Sequence, residues 1–188
     1  MQTRAPIDDF VALLRDARAR HVEEVELLAR VRVLAGALAE GKARWLTAPM
    51  CRPDPEQGFG LHLLHEEADH SLAVFVVSWL PGRTTVPHDH GTWAVVAGLR
   101  GEERNVVWRR NDNRARPGHA DVQRDNESVV RAGDVIALPS GAIHSVANEG
   151  QEVSVSLHVY GLHVNHTERS QFDPAARTET AYKVKVAA

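Results

Sequence analysis

Residues 81–101 read Pro81-Gly82-Arg83-Thr84-Thr85-Val86-Pro87-His88-Asp89-His90-Gly91-Thr92-Trp93-Ala94-Val95-Val96-Ala97-Gly98-Leu99-Arg100-Gly101. Pro-Gly at one end and Gly at the other punctuate the stretch as turn, strand, turn. Pro87-His88-Asp89-His90 sits where a strand should begin. In an extended chain residues i and i+2 face one side, so His88 and His90 project two imidazoles into one space while Asp89 points away. A pair of histidines does not make a metal site, and a third ligand has to come from elsewhere in the chain.

Outward from this stretch the sequence keeps a strand texture. Short runs rich in Val, Leu and Trp lie at Leu61 to His65, Leu72 to Leu80, Trp93 to Leu99, Glu103 to Arg109, Val129 to Val130, Asp134 to Leu138, His144 to Asn148 and Val153 to Val159. Turn residues such as Pro81-Gly82, Gly101, Ala132-Gly133 and Glu149-Gly150 separate them. Asn111 to Asn126 reads as a long surface loop. Before the strands comes a helical preface. Ile7-Asp8-Asp9 supplies an N-cap, Phe10, Leu13, Leu14 and Ala17 recur at helical spacing, and Val22, Val25, Leu28, Val31, Val33, Leu34 and Leu38 continue it until Gly41. Short strands after a helical preface predict a mainly β fold, closed or sandwiched so that no long edge stays exposed. One domain over residues 1–188 is expected, with the preface in 1–48 and the β part in 59–174.

Composition excludes several classes. The 43% hydrophobic content suffices for a sizeable core, and the net charge of -3 is spread over mixed-sign segments without a basic block, which argues against nucleic acid as partner. No apolar run approaches the roughly 20 residues of a membrane helix, and Met1 to Arg20 lacks the apolar core of a signal peptide. The expectation is a soluble, cytoplasmic protein without a membrane partner, with a monomer as the working oligomeric state. Cys51 is the one cysteine, so no intrachain disulfide can form. Eleven histidines are the oddity of the composition.

Gly133, Pro139, Gly141 and Asn148 frame His144 with turn residues and place it at the start of a strand. At this point the sequence resembles the cupin superfamily, a small jelly-roll-like β-barrel. The family's first motif is met by Gly82, His88, His90 and Gly101, with Ala94 where a glutamate ligand would stand. Its second is met in full by Gly133, Pro139, Gly141, His144 and Asn148. The resemblance implies a metal held by His88, His90 and His144. Three neutral imidazoles leave open positions on an octahedral ion and keep its full charge, which favours an anionic thiolate. Imidazole suits zinc, copper or nickel as well as iron, so ligand type alone does not name the metal.

Ser156-Leu157-His158-Val159-Tyr160 places three hydrogen-bonding side chains at i, i+2 and i+4 on one strand face. Joined to three histidines, this resembles the bacterial thiol dioxygenases, the family of cysteine dioxygenase and 3-mercaptopropionate dioxygenase, over about Leu61 to Pro174. The resemblance implies Fe(II) as cofactor, a small thiol and O2 as reactants, and a sulfinic acid as product. It also implies that Tyr160 donates a hydrogen bond to bound substrate or oxygen, that His158 holds the Tyr160 hydroxyl, and that Ser156 fixes the His158 tautomer. Animal cysteine dioxygenases crosslink a cysteine near the first motif to the tyrosine; Gly91 to Val96 contains none, and Cys51 is not assigned that role.

A carboxylate-bearing thiol needs an anchor away from sulfur, and Arg suits it by its bidentate fork. Where related cysteine dioxygenases carry Tyr-x-Arg-x-Leu, this chain reads Phe59-Gly60-Leu61-His62-Leu63. The segment His163 to Pro174 looks like the mercaptopropionate-type C-terminal segment, which makes Arg169 the candidate carboxylate anchor, with His62 and Arg83 as weaker alternatives. Trp79, Trp93 and Phe172 are candidate pocket walls or core aromatics, and His163 and His166 read as neighbours of the site or as surface. The best-matching substrate is 3-mercaptopropionate; L-cysteine and a mercaptosuccinate-type thiol remain open. So do another cupin oxygenase or isomerase with a non-thiol substrate, and a non-catalytic metal cupin that binds a small ligand. Hydrolase chemistry is disfavoured, because neither a nucleophile elbow nor His-Glu-x-x-His is present.

Overall fold

A computed structural model describes residues 4–186. Two helices, α1 (Ala5–Arg20) and α2 (Glu24–Glu40), precede ten strands. These are β1 (Phe59–Glu66), β2 (Ala73–Trp79), β3 (Ala94–Arg100), β4 (Glu102–Arg110), β5 (Val122–Arg131), β6 (Val135–Leu138), β7 (Ile143–Ala147), β8 (Ser154–Tyr160), β9 (Ser170–Asp173) and β10 (Thr178–Ala181). A five-stranded sheet runs β1-β2-β8-β3-β6, a three-stranded sheet runs β5-β4-β7, and β9 and β10 form a ribbon. The two larger sheets enclose an interior in which side chains of β1, β2, β7 and β8 line one cavity. The fold is the mainly β cupin barrel with helices at its N-terminal end, as the sequence indicates.

The helices explain why the central strands are buried on both sides. Ile7, Phe10, Val11, Leu14 and Ala17 of α1, with Leu27, Leu28, Val31, Leu34 and Leu38 of α2, pack on Val74, Val76, Val95, Leu157 and Val159. Burying a Leu, Val or Phe in this way contributes about 1.5–3 kcal/mol. With one face of the five-stranded sheet sealed, the alternate residues Ala73, Phe75, Val77, Ala94 and Tyr160 turn into the barrel. Strands β2 and β3 therefore read as largely apolar runs, whereas β8 alternates, with Val155, Leu157 and Val159 toward the helices and Ser156, His158 and Tyr160 toward the interior.

Several expectations need correcting. α1 starts at Ala5 behind Arg4, with Pro6 in its first turn and no side-chain cap, so the expected cap at Ile7 to Asp9 is absent. Leu13, Val22, Val25 and Val33 are exposed, because the seam uses Leu27, Ala35 and Ala39 instead. Residues 122–126 belong to strand β5, not to a loop. That strand is exposed over most of its length and is held by its ladder to β4, so no burial pattern marked it. Strands β9 and β10 were likewise unmarked. No helix among the described residues is long and apolar enough to cross a membrane.

Candidate metal centre

His88 and His90 lie in an extended segment rather than in a strand. His88 bridges on both sides: its N–H donates to the His144 carbonyl at 2.8 Å, the His144 N–H returns the bond at 2.9 Å, and a second bridge joins His88 to Gln171. This pairing gives the i, i+2 geometry that a regular strand would have given. Asp89 points the other way, where its carboxylate accepts the N–H groups of Ser170 and Gly91 at 3.0 and 3.2 Å. Gly91 has φ 62, and a Cβ there would stand 2.9 Å from the Cβ of Thr167, so the turn after the histidines needs glycine twice over.

His144, second residue of β7, completes the group. Its donor atom and those of His88 and His90 lie within 4.8 Å of one another, and all three residues are buried. His88 Nδ1 is 3.0 Å from the Val86 carbonyl and His144 Nδ1 is 3.1 Å from Asn105 Oδ1. Both neighbours are acceptors, so each ring carries its proton on Nδ1 and presents a bare Nε2. His144 Nε2 and His90 Nε2 are 3.2 Å apart. Bonds of about 2.0–2.2 Å to one ion, at angles between octahedral and tetrahedral, separate donor atoms by roughly 3.0–3.5 Å. The donor set fits a divalent transition metal.

Burial is the main reason these rings stay neutral. It holds His88 and His90 well below the usual histidine range, with neighbouring rings and Arg169 adding to the effect. It pushes His144 down to about 3, again with help from Arg169. Ala94, at the position of the motif glutamate, lies on the interior face beside Tyr160 in the ladder and supplies no carboxylate.

Tyr160, His158 and Ser156 share the interior face of β8. Tyr160 Oη is 2.8 Å from His158 Nδ1, and His158 Nε2 is 2.9 Å from Ser156 Oγ. The Tyr160 ring lies edge-on to His90 with centroids 5.0 Å apart, so the row begins at the metal group. Desolvation pushes the Tyr160 phenol up and His158 down to about 3, which keeps both neutral at neutral pH.

Arg169 enters the same cavity. It is 5% exposed, its guanidinium lies 4.5 Å from the centroid of the Tyr182 ring, and Nε donates to the Asp89 carbonyl at 3.2 Å. That is its one side-chain hydrogen bond among the described residues. Burial lowers its pKa, with Tyr160, Tyr182 and Asp89 opposing. The remaining wall is mostly apolar: Phe59, Leu61, Val77, Trp79, Val146 and Val184. The cavity measures about 30 Å³ as space open to the centre of a water. One water needs about 10–15 Å³ on that scale, so there is room for an ion and a ligand of few atoms.

The structure brings His88, His90, His144, His158, Tyr160, Arg169 and Trp79 to one cavity, with Ser156 directly behind. It leaves others out. His62 faces away from the cavity: β1 turns Phe59 and Leu61 inward, and the His62 ring bonds the Arg52 carbonyl at 2.8 Å. Arg83 is exposed, Trp93 packs in the helix-facing core, and Phe172 belongs to a small cluster with Ala120, Val122 and Ile143. Cys51 packs against the helix-facing core. Missed in the sequence were Asn105, Tyr182 and Val184. For Asn105 the sequence carries little signal, since β4 reads Glu-Glu-Arg-Asn-Val-Val-Trp-Arg-Arg and nothing in that run marks Glu103 and Asn105 as its buried polar residues. Tyr182 and Val184 arrive through a C-terminal segment without periodicity, fastened by Gln57 and Asn165.

The family described as Cupin matches residues 69–182, and the chain belongs to it. Among solved structures, TT1209 from Thermus thermophilus is similar at 22% identity over 61% of this chain and 92% of its own, with a TM-score of 0.45. An oxalate oxidase in complex with the substrate analogue glycolate is similar at 17% identity over 62% of this chain and 59% of its own, with a TM-score of 0.47. Oxalate decarboxylase from Bacillus subtilis is similar at 26% identity over 54% of this chain and 23% of its own, with a TM-score of 0.41. At these scores the likenesses add nothing to what the family match establishes.

Proposed function

We propose that the protein is a non-haem iron thiol dioxygenase that converts a small carboxylate-bearing thiol and O2 to the sulfinic acid, with 3-mercaptopropionate as the best-fitting substrate. The observation that carries this reading is a buried arginine without an ion-pair partner, sharing a small cavity with three neutral imidazoles and the Tyr160 hydroxyl. A buried guanidinium that lacks an anion is costly unless a ligand supplies one. A carboxylate fits its fork.

Fe(II) held by His88, His90 and His144 would supply a Lewis-acid and redox centre where thiol and O2 meet. The residues do the rest. Asn105 and the Val86 carbonyl fix the ring orientations of His144 and His88. Arg169 takes the carboxylate, which holds the sulfur end toward the histidines. Tyr160 offers its hydroxyl to the bound sulfur or oxygen, and His158 with Ser156 holds that hydroxyl in place. Phe59, Leu61, Val77 and Val184 exclude water from the reacting atoms.

The lining also ranks the substrates. No lining residue is a carboxylate that could receive the ammonium of L-cysteine, and Arg169 is the single fixed cation, whereas mercaptosuccinate brings two carboxylates. Where cysteine dioxygenases are expected to carry their arginine, Leu61 lines the wall. The test is anaerobic loading with iron(II), then O2 consumption and sulfinate detection with 3-mercaptopropionate, L-cysteine, cysteamine and mercaptosuccinate side by side. One O2 consumed per sulfinate, fastest with 3-mercaptopropionate, is expected. No uptake with any thiol at one iron per chain would overturn the activity and favour a different substrate class or a non-catalytic metal cupin.

A further inference from the structure

The row on β8 does not stop at Ser156. Its hydroxyl donates to Glu103 Oε2 of β4 at 3.1 Å, so four side chains run in file from the metal group to a carboxyl group that is 3% exposed. The other oxygen, Oε1, has no partner, and the Ser154 hydroxyl beside it has none either. A fully ionised carboxylate so placed leaves half of its charge without a donor, which is costly in a low dielectric. Protonation relieves that cost.

The direction of each hydrogen bond depends on Glu103. When it is ionised, Ser156 O–H points to it, His158 Nε2–H points to Ser156, and His158 Nδ1 accepts from Tyr160 O–H. The Tyr160 proton then faces away from the histidines of the metal group. When Glu103 is protonated every bond reverses: Glu103 O–H to Ser156, Ser156 O–H to His158 Nε2, and His158 Nδ1–H to Tyr160 Oη. The Tyr160 hydroxyl is then free to donate into the cavity. The histidine changes tautomer and never becomes charged.

We propose that Glu103 accepts the proton that a thiol gives up on binding, through Tyr160, His158 and Ser156. This rests on the thiol substrate proposed above. The thiol S–H proton passes to Tyr160 Oη, the Tyr160 proton to His158 Nδ1, the His158 Nε2 proton to Ser156 Oγ, and the Ser156 proton to Glu103 Oε2. Four bonds to hydrogen break and four form, with no change of oxidation state. The sulfur becomes thiolate, Glu103 becomes a carboxylic acid, and the three residues between end neutral. The same step turns the Tyr160 hydroxyl toward the new thiolate. Glu103 touches no reacting atom; it positions the protons of the three residues that lead there.

Burial raises the Glu103 carboxyl to about 7, with the Ser156 hydrogen bond and the nearby Ser154 hydroxyl opposing. From β8 those two hydroxyls face it, with His158 one link further, and its ladder neighbour on β5 is Val130. Among the described residues no charged side chain contributes to the shift. An acceptor near neutrality suits the task, because it is ionised enough to receive a proton and basic enough to keep it.

The experiment compares the iron-loaded wild type with Glu103→Gln, whose amide can still donate to Ser156 but cannot take a proton. Infrared difference spectra on anaerobic addition of 3-mercaptopropionate, slightly above pH 7, should show the carbonyl stretch of a protonated carboxyl appearing in the wild type and not in Glu103→Gln. In steady state, wild-type kcat/KM should rise with pH through about 7, as Glu103 ionises. The variant should lose that limb and fall by about tenfold or more above it. Ser156→Ala, which cuts the row one link earlier, should abolish the infrared change while leaving Glu103 in place. Thiol turnover with no carboxyl band and identical pH profiles would overturn the relay and leave the dioxygenase reading standing. Absence of turnover with every thiol would instead overturn that reading, and the relay with it.

Discussion

The chain holds two groups of histidines of similar chemistry in opposite surroundings. In the barrel, His88, His90 and His144 are buried and kept neutral by desolvation, and His88 and His144 are tied through Nδ1 to neutral acceptors. At the surface, Glu66, His70 and His166 also bring one donor atom each within 4.8 Å of the others, with His163 close by. There His70 Nδ1 is 2.6 Å from Glu66, and the His70 and His166 rings stack with centroids 3.5 Å apart. Number and proximity of histidines therefore do not distinguish a metal centre. What distinguishes the barrel group is that its three rings are buried and their donor atoms converge on one shared cavity. At the surface a carboxylate already holds one ring and solvent reaches another.

The largest break in that contrast comes from removing a barrel imidazole. His144→Ala should reduce iron affinity by about 100-fold or more and abolish O2 uptake with it, measured by metal analysis after dialysis and by an oxygen electrode. Retained iron with full turnover would remove His144 from the ligand set. Asn105→Ala tests the orientation of that ring alone and should cost about 10–100-fold in iron affinity. An unchanged affinity would show that packing, not the hydrogen bond, sets the ring.

Arg169→Ala should raise KM for 3-mercaptopropionate by about 10–100-fold, the worth of a hydrogen-bonded charge, while leaving cysteamine, which has no carboxylate, nearly unaffected. Equal effects on both thiols would reject the anchor. Its burial was not readable from the sequence. It follows from Asp89, which pins Arg169 through its carbonyl and Ser170 through its carboxylate, a contact across 80 residues of chain.

Much of the barrel was legible because its cause is local. The motif glycines and prolines mark turns, and the i, i+2 rule put His88 with His90 and Ser156 with His158 and Tyr160. Elements held only by a partner strand were not legible. β5 is exposed on both faces for most of its length, and β9 and β10 are four residues each, so neither burial nor propensity marks them. The same holds for the site. Glu103 sits on a strand that the sequence does show, yet only the fold brings β4 beside β8 and makes its carboxyl continue the row. Conversely, His62 looked eligible by type and proximity in sequence, and strand parity turned it outward.

The smallest expected effect is at the surface group. His166 is exposed, and its ring stacks on His70 without a hydrogen bond from its side chain among the described residues. His166→Ala should therefore leave iron content and kcat unchanged and cost less than about 1 kcal/mol in a denaturant melt, the range of exposed polar contacts. A different result would be informative, because the residue lies on the loop that leads to Arg169. That loop is held independently of the stack: the His163 N–H donates to the His70 carbonyl at 2.9 Å, and Lys183 Nζ donates to the Asn165 and Thr167 carbonyls at 3.0 and 3.2 Å. With those bonds intact, loss of one exposed ring should not move the guanidinium. A raised KM for 3-mercaptopropionate in this variant would mean that the stacked rings carry the loop, and that the two histidine groups are coupled through Arg169 rather than independent.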